Sequence, residues 1–408
     1  MSHFTKSALV GACLPLLLAS CQISEPEAVV SRPSTPQDVV RFNSISAAAR
    51  AGATTQKYII TLRQDVSLAA LLPTESGNYD ARLASMRALL DKLISEGIGQ
   101  RAEQVYVAAL KGFAITLTPQ EVAVLQKLPI VESVEPDQLF QLKLPQNGDV
   151  TAQAQETPWG ITRIGGAINY TGSGVAWVID TGIDMDHPDL NVSQTRGRNF
   201  IQSGASPDDD NGHGSHVAGT IAAKNNSLGV IGVAAGATVI PVKVLAANGS
   251  GSNSGVIAGV DFVASNGRVG DVANMSLGGG ISTALDNAVA NAAAKGIKFA
   301  LAAGNESQNA NNSSPGRVNG SNIYTVSAFD VNNTFASFSN YGNPPIDISA
   351  PGVSIKSTYK NGAYATLSGT SMATPHVAGI LLANGGTLRY NGYVTGDPDG
   401  NPDKRAYR

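Results

Sequence analysis

The chain has 408 residues, 14% of them charged, and a formal net charge of -3. Its length allows two or three domains and a sizeable core, which excludes a peptide or a single small module. The near balance of 28 basic and 31 acidic side chains gives no electrostatic reason to expect a nucleic-acid partner. Both cysteines, Cys13 and Cys21, lie in the first 21 residues. The rest of the chain therefore offers no disulfide, cysteine–zinc site or thiol nucleophile.

The N-terminal segment has the pattern of a signal peptide. Residues 1–21 combine a lightly basic start at Lys6, an apolar stretch from Ala8 to Ala19 and small residues before Cys21, and they are too short to span as a transmembrane helix. Residues 18–21 also resemble a bacterial lipobox, which implies lipidation of Cys21. Ordinary secretion is the alternative, so we expect a protein that is secreted or anchored in the cell envelope through Cys21.

The segment from Gln22 to Gln56 has scattered Pro, Ser and Ala without periodicity, which is typical of a flexible linker. Residues 57–143 then alternate strand and helix patterns in the order β-α-β-β-α-β, the ferredoxin-like α+β arrangement. The predicted elements are strand Tyr58–Leu62, helix Tyr79–Ile98, strands Val105–Leu110 and Phe113–Leu117, a capped helix from Thr118, and strand Val131–Asp137.

A larger domain is predicted over residues 152–390, followed by a polar tail, 391–408, that is rich in Gly, Asp and Pro. Short, almost continuous apolar strands alternate there with helices, which indicates an α/β domain whose parallel sheet is covered on both faces. The predicted strands are Val175–Ile179, Val239–Leu245, Val272–Leu277, Lys298–Ala303 and Ile323–Val326, and the helices are His213–Ala223, Ser254–Ser265 and Thr283–Lys295.

Three segments of the larger domain carry candidate catalytic side chains. Asp180 ends a buried strand before a glycine turn, His213 lies between glycines at a helix start, and Ser371 lies on a turn that enters a helix. Each segment alone is weak evidence for catalysis, because strand-end carboxylates and turn serines commonly cap the backbone. His213 and His216 have a spacing seen in metal sites, but no glutamate lies between them and no cysteine is available.

Together the segments resemble the subtilase family of serine proteases, which carries aspartate, histidine and serine in this chain order. The sequence Ala302–Asn305 lies between the second and third motifs, as in the family. Residues 242–245, 248–251 and 338–342 resemble the proteinase K subgroup. The resemblance covers residues 158–383 and implies a subtilisin-like parallel sheet sandwiched by helices. The preceding small domain resembles the inhibitor-type prodomain of these enzymes.

The resemblance implies a role for each of four side chains. Ser371 would be the nucleophile and His213 the general base and then acid, since a serine hydroxyl attacks only when a base removes its proton. Asp180 would fix the imidazole tautomer. The side-chain amide of Asn305 and the backbone N–H of Ser371 would stabilise the oxyanion. We therefore expect a serine endopeptidase that needs no cofactor for catalysis.

The resemblance also implies where a substrate binds. Gly249, Ser250 and Gly251 would form one extended edge of the cleft, and Ser276, Leu277 and Gly278 the other, with the peptide added between them as a strand. The walls of the pocket for the residue before the scissile bond would include Ala302 and Gly304. These walls are small and uncharged, so we expect broad specificity with apolar or aromatic residues at that position.

Calcium is the expected structural ion. Asp347 matches the carboxylate of a calcium site in the proteinase K type, and carbonyl groups of Ser321 and Ile323 would complete an oxygen cage. Two acidic segments, Asp208–Asp210 and Asp397–Asp403, are further candidates, although solvated acidic loops are commoner.

The two domains together predict an inactive precursor that processes itself. We expect cleavage between Leu142 and Trp159, near Thr151–Gln155, after which residues 57–143 stay bound as an inhibitor. The expected partners are peptide and protein substrates and the chain's own prodomain, in a monomer that meets a membrane only through its lipid. A non-catalytic binding protein on this scaffold and a peptide ligase are the alternatives, and only product analysis separates a ligase from a protease.

Overall fold

The structure, a computed structural model, describes residues 53–64, 78–95, 97–142 and 154–408. The predicted signal peptide, Cys21 and residues 22–52 of the predicted linker lie outside the described residues. No helix in the described ranges is both long enough and apolar enough to cross a membrane.

The first domain has the predicted ferredoxin-like topology. Its elements are β1 (Gln56–Leu62), α1 (Tyr79–Leu93), α2 (Ile98–Arg101), β2 (Gln104–Tyr106), β3 (Gly112–Leu117), α3 (Pro119–Leu125), β4 (Val131–Pro136) and an outlying strand β5 (Leu139–Gln141). The antiparallel sheet has the order β2-β3-β1-β4. Helix α3 begins at a capping box, in which the Thr118 hydroxyl accepts a hydrogen bond from Glu121 N and the Glu121 carboxylate accepts one from Thr118 N.

The second domain is built from helices and mostly parallel strands. Its elements are α4 (Trp159–Arg163), β6 (Ile168–Asn169), β7 (Ala176–Asp180), β8 (Asn191–Val192), β9 (Arg198–Asn199), α5 (His213–Ala222), β10 (Ala234–Ala235), β11 (Thr238–Lys243), β12 (Ser250–Ser252), α6 (Asn253–Asn266), β13 (Val272–Met275), α7 (Thr283–Ala293), β14 (Lys298–Ala302), a 3₁₀ turn (Ala310–Asn312), β15 (Ile323–Phe329), β16 (Ile346–Pro351), β17 (Ile355–Thr358), β18 (Tyr364–Leu367), α8 (Thr370–Ala383), β19 (Arg389–Tyr393) and β20 (Lys404–Tyr407).

The main sheet runs β19-β20-β16-β15-β14-β13-β7-β11-β8, with β9 also paired to β11. All pairings from β8 to β20 are parallel. Every residue of β7 is buried, because its two faces pack into different apolar layers. Trp177 and Ile179 join α6 and α7 on one face, and Ala176 and Val178 join α5 and α8 on the other. The carboxyl ends of parallel strands share one edge, and that edge carries the site.

The predicted polar tail, residues 391–408, is not a separate segment throughout, because residues 391–393 end β19 and Lys404–Tyr407 form β20. Strands β19 and β20 form an antiparallel pair, and β20 adds to β16. Asp403 is 3% exposed and accepts hydrogen bonds from the Ser327 hydroxyl and, at 2.9 Å, from Asn343 Nδ2. The Gly, Asp and Pro residues that suggested a tail are concentrated in the loop between the two strands.

Candidate active site

Asp180 lies at the carboxyl end of β7 and is fully buried. Its Oδ1 atom accepts hydrogen bonds from Thr181 N and from His213 Nδ1, both at 2.7 Å. A buried carboxylate on Nδ1 fixes the imidazole tautomer and leaves Nε2 to act as base. The structure thus brings together the first two side chains that the sequence motifs predict.

His213 is the first residue of α5 and is 1% exposed. The glycines beside it permit close approach: a Cβ atom at Gly214 would lie 2.0 Å from the carbonyl oxygen of Gly182, on the turn after β7. Burial lowers the pKa of His213, but the charge and hydrogen bond of Asp180, and then the charge of Asp209, outweigh burial and raise the pKa above its ordinary value.

Ser371 is the second residue of α8, is 7% exposed and lines a cavity. Its hydroxyl donates to the backbone oxygen of Ser276 at 2.9 Å, and the Ser276 hydroxyl donates to the backbone oxygen of Ser371 at 2.8 Å. Pro375, four residues on, has no N–H to give to that oxygen. The proline therefore frees the Ser371 carbonyl for Ser276, which ties the serine to the strand end beside it.

Asn305 follows β14 and faces the start of α8. Its side-chain oxygen accepts hydrogen bonds from Thr370 N at 2.8 Å and from the Thr370 hydroxyl at 3.0 Å, which leaves its NH₂ group to donate to a ligand. The N–H of Ser371 is at the first turn of the helix, where backbone donors have no intrahelical acceptor. Two donors thus lie beside Ser371.

Asn340 is a residue that the sequence motifs did not single out, although it lies in the quoted segment 338–342. It is fully buried, donates to the backbone oxygen of Ala303 at 2.9 Å and accepts from Glu306 N at 3.1 Å. It therefore holds the chain on both sides of Asn305.

A cavity of about 70 Å³ opens beside Ser371. It is lined by Gln141, Leu142, Leu277, Gly278, Ala302, Ala303, Gly304, Asn305, Glu306, Ser313, Thr370 and Ser371. The expected wall of small, uncharged residues is incomplete, since Glu306 also lines this cavity. Glu306 is exposed, and its carboxylate accepts a hydrogen bond from Asn340 Nδ2 at 2.9 Å.

The first domain places a strand across the cleft. Strand β5 pairs antiparallel with β12, and Leu142 N donates to the oxygen of Gly249 at 3.0 Å. Phe140 lies against Gly251 and Gly279. Of the two expected edges, only that of Gly249, Ser250 and Gly251 receives backbone hydrogen bonds from the described prodomain residues; the edge of Ser276, Leu277 and Gly278 receives none from them.

The expected cleavage interval lies partly in the structure. Residues 151–153 are outside the described ranges. Ala154 forms a bridge with Leu228, and Gln155 N donates to the oxygen of Ser227 at 3.3 Å. The chain on the far side of the interval is therefore paired with a surface loop of the second domain.

The expected calcium ligands lie at one region of the sheet. Asp347, in β16, accepts a hydrogen bond from Thr325 N at 2.9 Å, and Ile323 begins β15 with Ser321 two residues before it. A side-chain carboxylate and backbone carbonyls are the oxygen donors that calcium prefers. No group of three or more His, Cys, Asp or Glu side chains within the described ranges is arranged to hold a metal.

The remaining described histidines pack as structural groups. Burial lowers the pKa of His216 to about 3 and that of His376 to about 4, so both rings are neutral near pH 7. His216 Nε2 lies 2.9 Å from the oxygen of Ile355, and His187 Nε2 lies 3.0 Å from the oxygen of Ala363. These rings are therefore hydrogen-bonded groups inside the fold.

Comparisons with known proteins show which family each of the two domains matches. Residues 173–383 match the subtilase family and residues 57–143 match peptidase inhibitor I9. The chain is 39% identical over 353 residues to M-protease of Shouchella clausii, covering 84% of each protein. It is 42% identical over 292 residues to alkaline serine exoprotease A of Vibrio alginolyticus, covering 69% of this chain and about half, 52%, of that protein.

A solved structure, that of a cold-adapted subtilisin-like serine proteinase, is 40% identical and covers 61% of this chain and 97% of its own, with a TM-score of 0.54. The match of the family to more than half of the chain, together with the similarity to M-protease, agrees with the motif order and the parallel sheet. The chain belongs to the subtilase family of serine proteases and carries an inhibitor I9 prodomain.

Proposed function

We propose that this chain is an endopeptidase that cleaves peptide bonds through Asp180, His213 and Ser371 and is made as a self-processing precursor. The observation that carries the proposal is the 2.7 Å contact between buried Asp180 and His213. The proposal is also supported by Ser371, which lines a cavity that Gln141 and Leu142 of the inhibitory domain also line.

In the proposed reaction, the Ser371 hydroxyl turns from the Ser276 oxygen to His213 Nε2 and gives up its proton there. The Ser371 oxygen then attacks the substrate carbonyl carbon. The imidazolium formed is stabilised by Asp180 and returns its proton to the leaving amine, which breaks the C–N bond. Water then attacks the carbonyl carbon of the acyl-enzyme while His213 takes its proton. His213 passes that proton to the Ser371 oxygen, and the acid product leaves.

The tetrahedral intermediate carries its negative charge on the former carbonyl oxygen. Asn305 Nδ2 and Ser371 N are the donors assigned to it. Because Thr370 occupies the Asn305 side-chain oxygen, the amide is oriented before substrate arrives. Donors fixed in advance cost no reorganisation in the transition state, and one such donor is worth ~10²–10³ in rate.

For specificity, we propose a broad preference for apolar or aromatic side chains before the scissile bond, since Leu277, Gly278, Ala302 and Gly304 form an uncharged wall. Glu306 adds tolerance for lysine or arginine, because its carboxylate lies at the same cavity. The substrate backbone would pair with Gly249, Ser250 and Gly251 in the place that β5 now occupies.

For maturation, we propose that residues 57–143 form the inhibitory prodomain and that the mature enzyme begins downstream of Leu142. Calcium bound by Asp347 and by carbonyls of Ser321 and Ile323 would stabilise the fold without entering the chemistry. Export by residues 1–21, with lipidation at Cys21, would deliver a monomeric enzyme to the cell envelope.

The test uses the full-length precursor and its Ser371→Ala variant, with Ser203→Ala as the matched control at an exposed serine. We expect casein hydrolysis, fluorophosphonate labelling and a loss of mass through self-cleavage in the wild type and the control. Ser371→Ala should lack all three. Labelling that persists in Ser371→Ala would overturn the assignment of the nucleophile.

A further inference from the structure

Asp209 is a buried carboxylate to which the proposed reaction assigns no role. It is 4% exposed and lies four residues before His213. It accepts hydrogen bonds from five donors: the hydroxyl of Thr181, the backbone N–H groups of Asn211, Gly212 and Ser215, and the hydroxyl of Ser215. A carboxylate has about four lone-pair sites, so its hydrogen-bonding capacity is filled within the protein.

Three of the five donors come from the strand end and the helix that carry different catalytic side chains, and the other two, Asn211 N and Gly212 N, precede the helix. Thr181 directly follows Asp180 at the end of β7, and its hydroxyl, 2.8 Å from Asp209 Oδ1, also accepts from Gly214 N at 2.9 Å. Ser215 lies in the first turn of α5, two residues after His213, and both its N–H and its hydroxyl bind Asp209 Oδ2, at 2.8 and 2.6 Å. The carboxylate thus bridges the strand end and the helix start.

The bridge also substitutes for a missing helix cap. Helix α5 begins after Gly212, which has no side chain to receive the first N–H groups. Asp209 receives the third of them, from Ser215, and its negative charge lies at the positive end of the helix dipole. The sequence thus combines a glycine, which lets the helix approach β7 closely, with an aspartate that caps the helix from outside.

We propose that Asp209 is a positioning residue of the catalytic site: it clamps the Thr181 turn to the first turn of α5, so that Asp180 and His213 keep their mutual geometry. The proposal rests on the catalytic roles proposed above. Two features make it more than a loop contact: the carboxylate binds both elements with opposite oxygens, and its charge acts on the imidazole.

The electrostatic consequence follows from the groups that face His213. Asp180 contacts the ring and Asp209 lies behind the helix start, and both charges raise the pKa of His213, whereas burial lowers it. His216 on the same helix is neutral near pH 7, and the nearby cation Lys243 is paired with Asp210 at 2.6 Å. Loss of the Asp209 charge should therefore lower the pKa of His213.

The experiment compares Asp209→Asn, Thr181→Val and the control Asp208→Asn, an exposed aspartate in the same loop, in the mature enzyme. Asp209→Asn should lower kcat by about 10- to 100-fold, the size expected for slight misplacement of reacting groups, with KM nearly unchanged. Its acid limb in kcat/KM should move to lower pH. Thr181→Val breaks the bridge but keeps the charge, so kcat should fall while the acid limb stays.

The outcomes separate this proposal from the proposed function. If wild type and Asp208→Asn hydrolyse peptides and Asp209→Asn matches them in kcat and pH profile, the positioning role is wrong and the protease assignment stands. If wild type is inactive, the proposed function fails first. If Asp209→Asn does not fold, an unchanged kcat in Thr181→Val overturns the clamp.

Discussion

Asp137 of the prodomain caps a helix of the peptidase domain through Ser254. One carboxylate oxygen accepts from Ser254 N at 2.9 Å and the other from the Ser254 hydroxyl at 2.6 Å, in the first turn of α6. Glu135 does the same for α7, where its two oxygens accept from the Ser282 hydroxyl and from Ala284 N. Each carboxylate places a negative charge at a helix N-terminus.

This relationship predicts how firmly the cleaved prodomain stays bound. Asp137→Asn should shorten the lag between self-cleavage, followed by intact mass, and the appearance of peptidase activity. A hydrogen bond to a charged group contributes roughly 1.5–3 kcal/mol, which corresponds to an inhibition constant about 10- to 100-fold weaker. Glu132→Gln, at an exposed position of β4, the strand that precedes Asp137, should leave the lag unchanged. An equal lag in both variants would contradict the capping role.

Glu306 predicts a measurable effect on specificity. Glu306→Gln should lower the kcat/KM of substrates with lysine before the scissile bond by about two- to fivefold, the size expected for a partly exposed charge pair. Substrates with phenylalanine at that position should be almost unaffected. Glu156→Gln removes a charge that pairs with Lys356 and serves as the control. Equal changes in kcat/KM for both substrates would show that Glu306 does not contribute to the selectivity of the pocket.

Much of this site could be predicted from local sequence. Asp180 at a strand end, His213 between glycines and Ser371 at a helix start are all set by residues within one or two turns of them. Glu306 could not be placed this way, because the side chain that holds it, Asn340, lies 34 residues further on. A pocket wall that is predicted from consecutive residues omits side chains that distant residues orient toward the pocket.

The C-terminal strands were missed for a similar reason. Strand β20 joins the sheet through β16, which ends more than 50 residues earlier, and the buried position of Asp403 depends on Ser327 and Asn343. Gly, Asp and Pro in the connecting loop dominate the local composition. Pairing between distant strands is a tertiary property, and composition alone does not reveal it.

Replacing Asn305 should affect kcat and KM differently. Asn305→Ala should lower kcat by ~10²–10³ with little change in KM, because an oxyanion donor acts chiefly in the transition state. Asn309→Ala, at another side chain of the same loop, is the control for loss of an amide. A rise in KM without a fall in kcat would assign Asn305 to ground-state binding instead.

Calcium binding predicts a thermal effect. Excess chelator should lower the Tm of the mature enzyme, because an ion bound only by the folded state stabilises it by mass action. Asp347→Asn should have a lower Tm in calcium and a smaller response to chelator, while Asp330→Asn, in a surface turn, should respond like wild type. A Tm that chelator leaves unchanged would argue against a tight structural site.

Self-cleavage predicts a specific first product. A scissile carbonyl must lie about 3–3.5 Å from the Ser371 oxygen, and an extended chain advances about 3.3 Å per residue. Because Leu142 lines the cavity beside Ser371, the first cut should fall within about three residues after it.

Ala154 and Gln155 pair with residues 227–228, so trimming near residues 151–155 should follow only after that pairing opens. Intact mass over time should show the longer mature chain first, and Ser371→Ala should remain uncut. If residues 151–155 supply the earliest new N-terminus, the register of β5 in the cleft does not select the scissile bond.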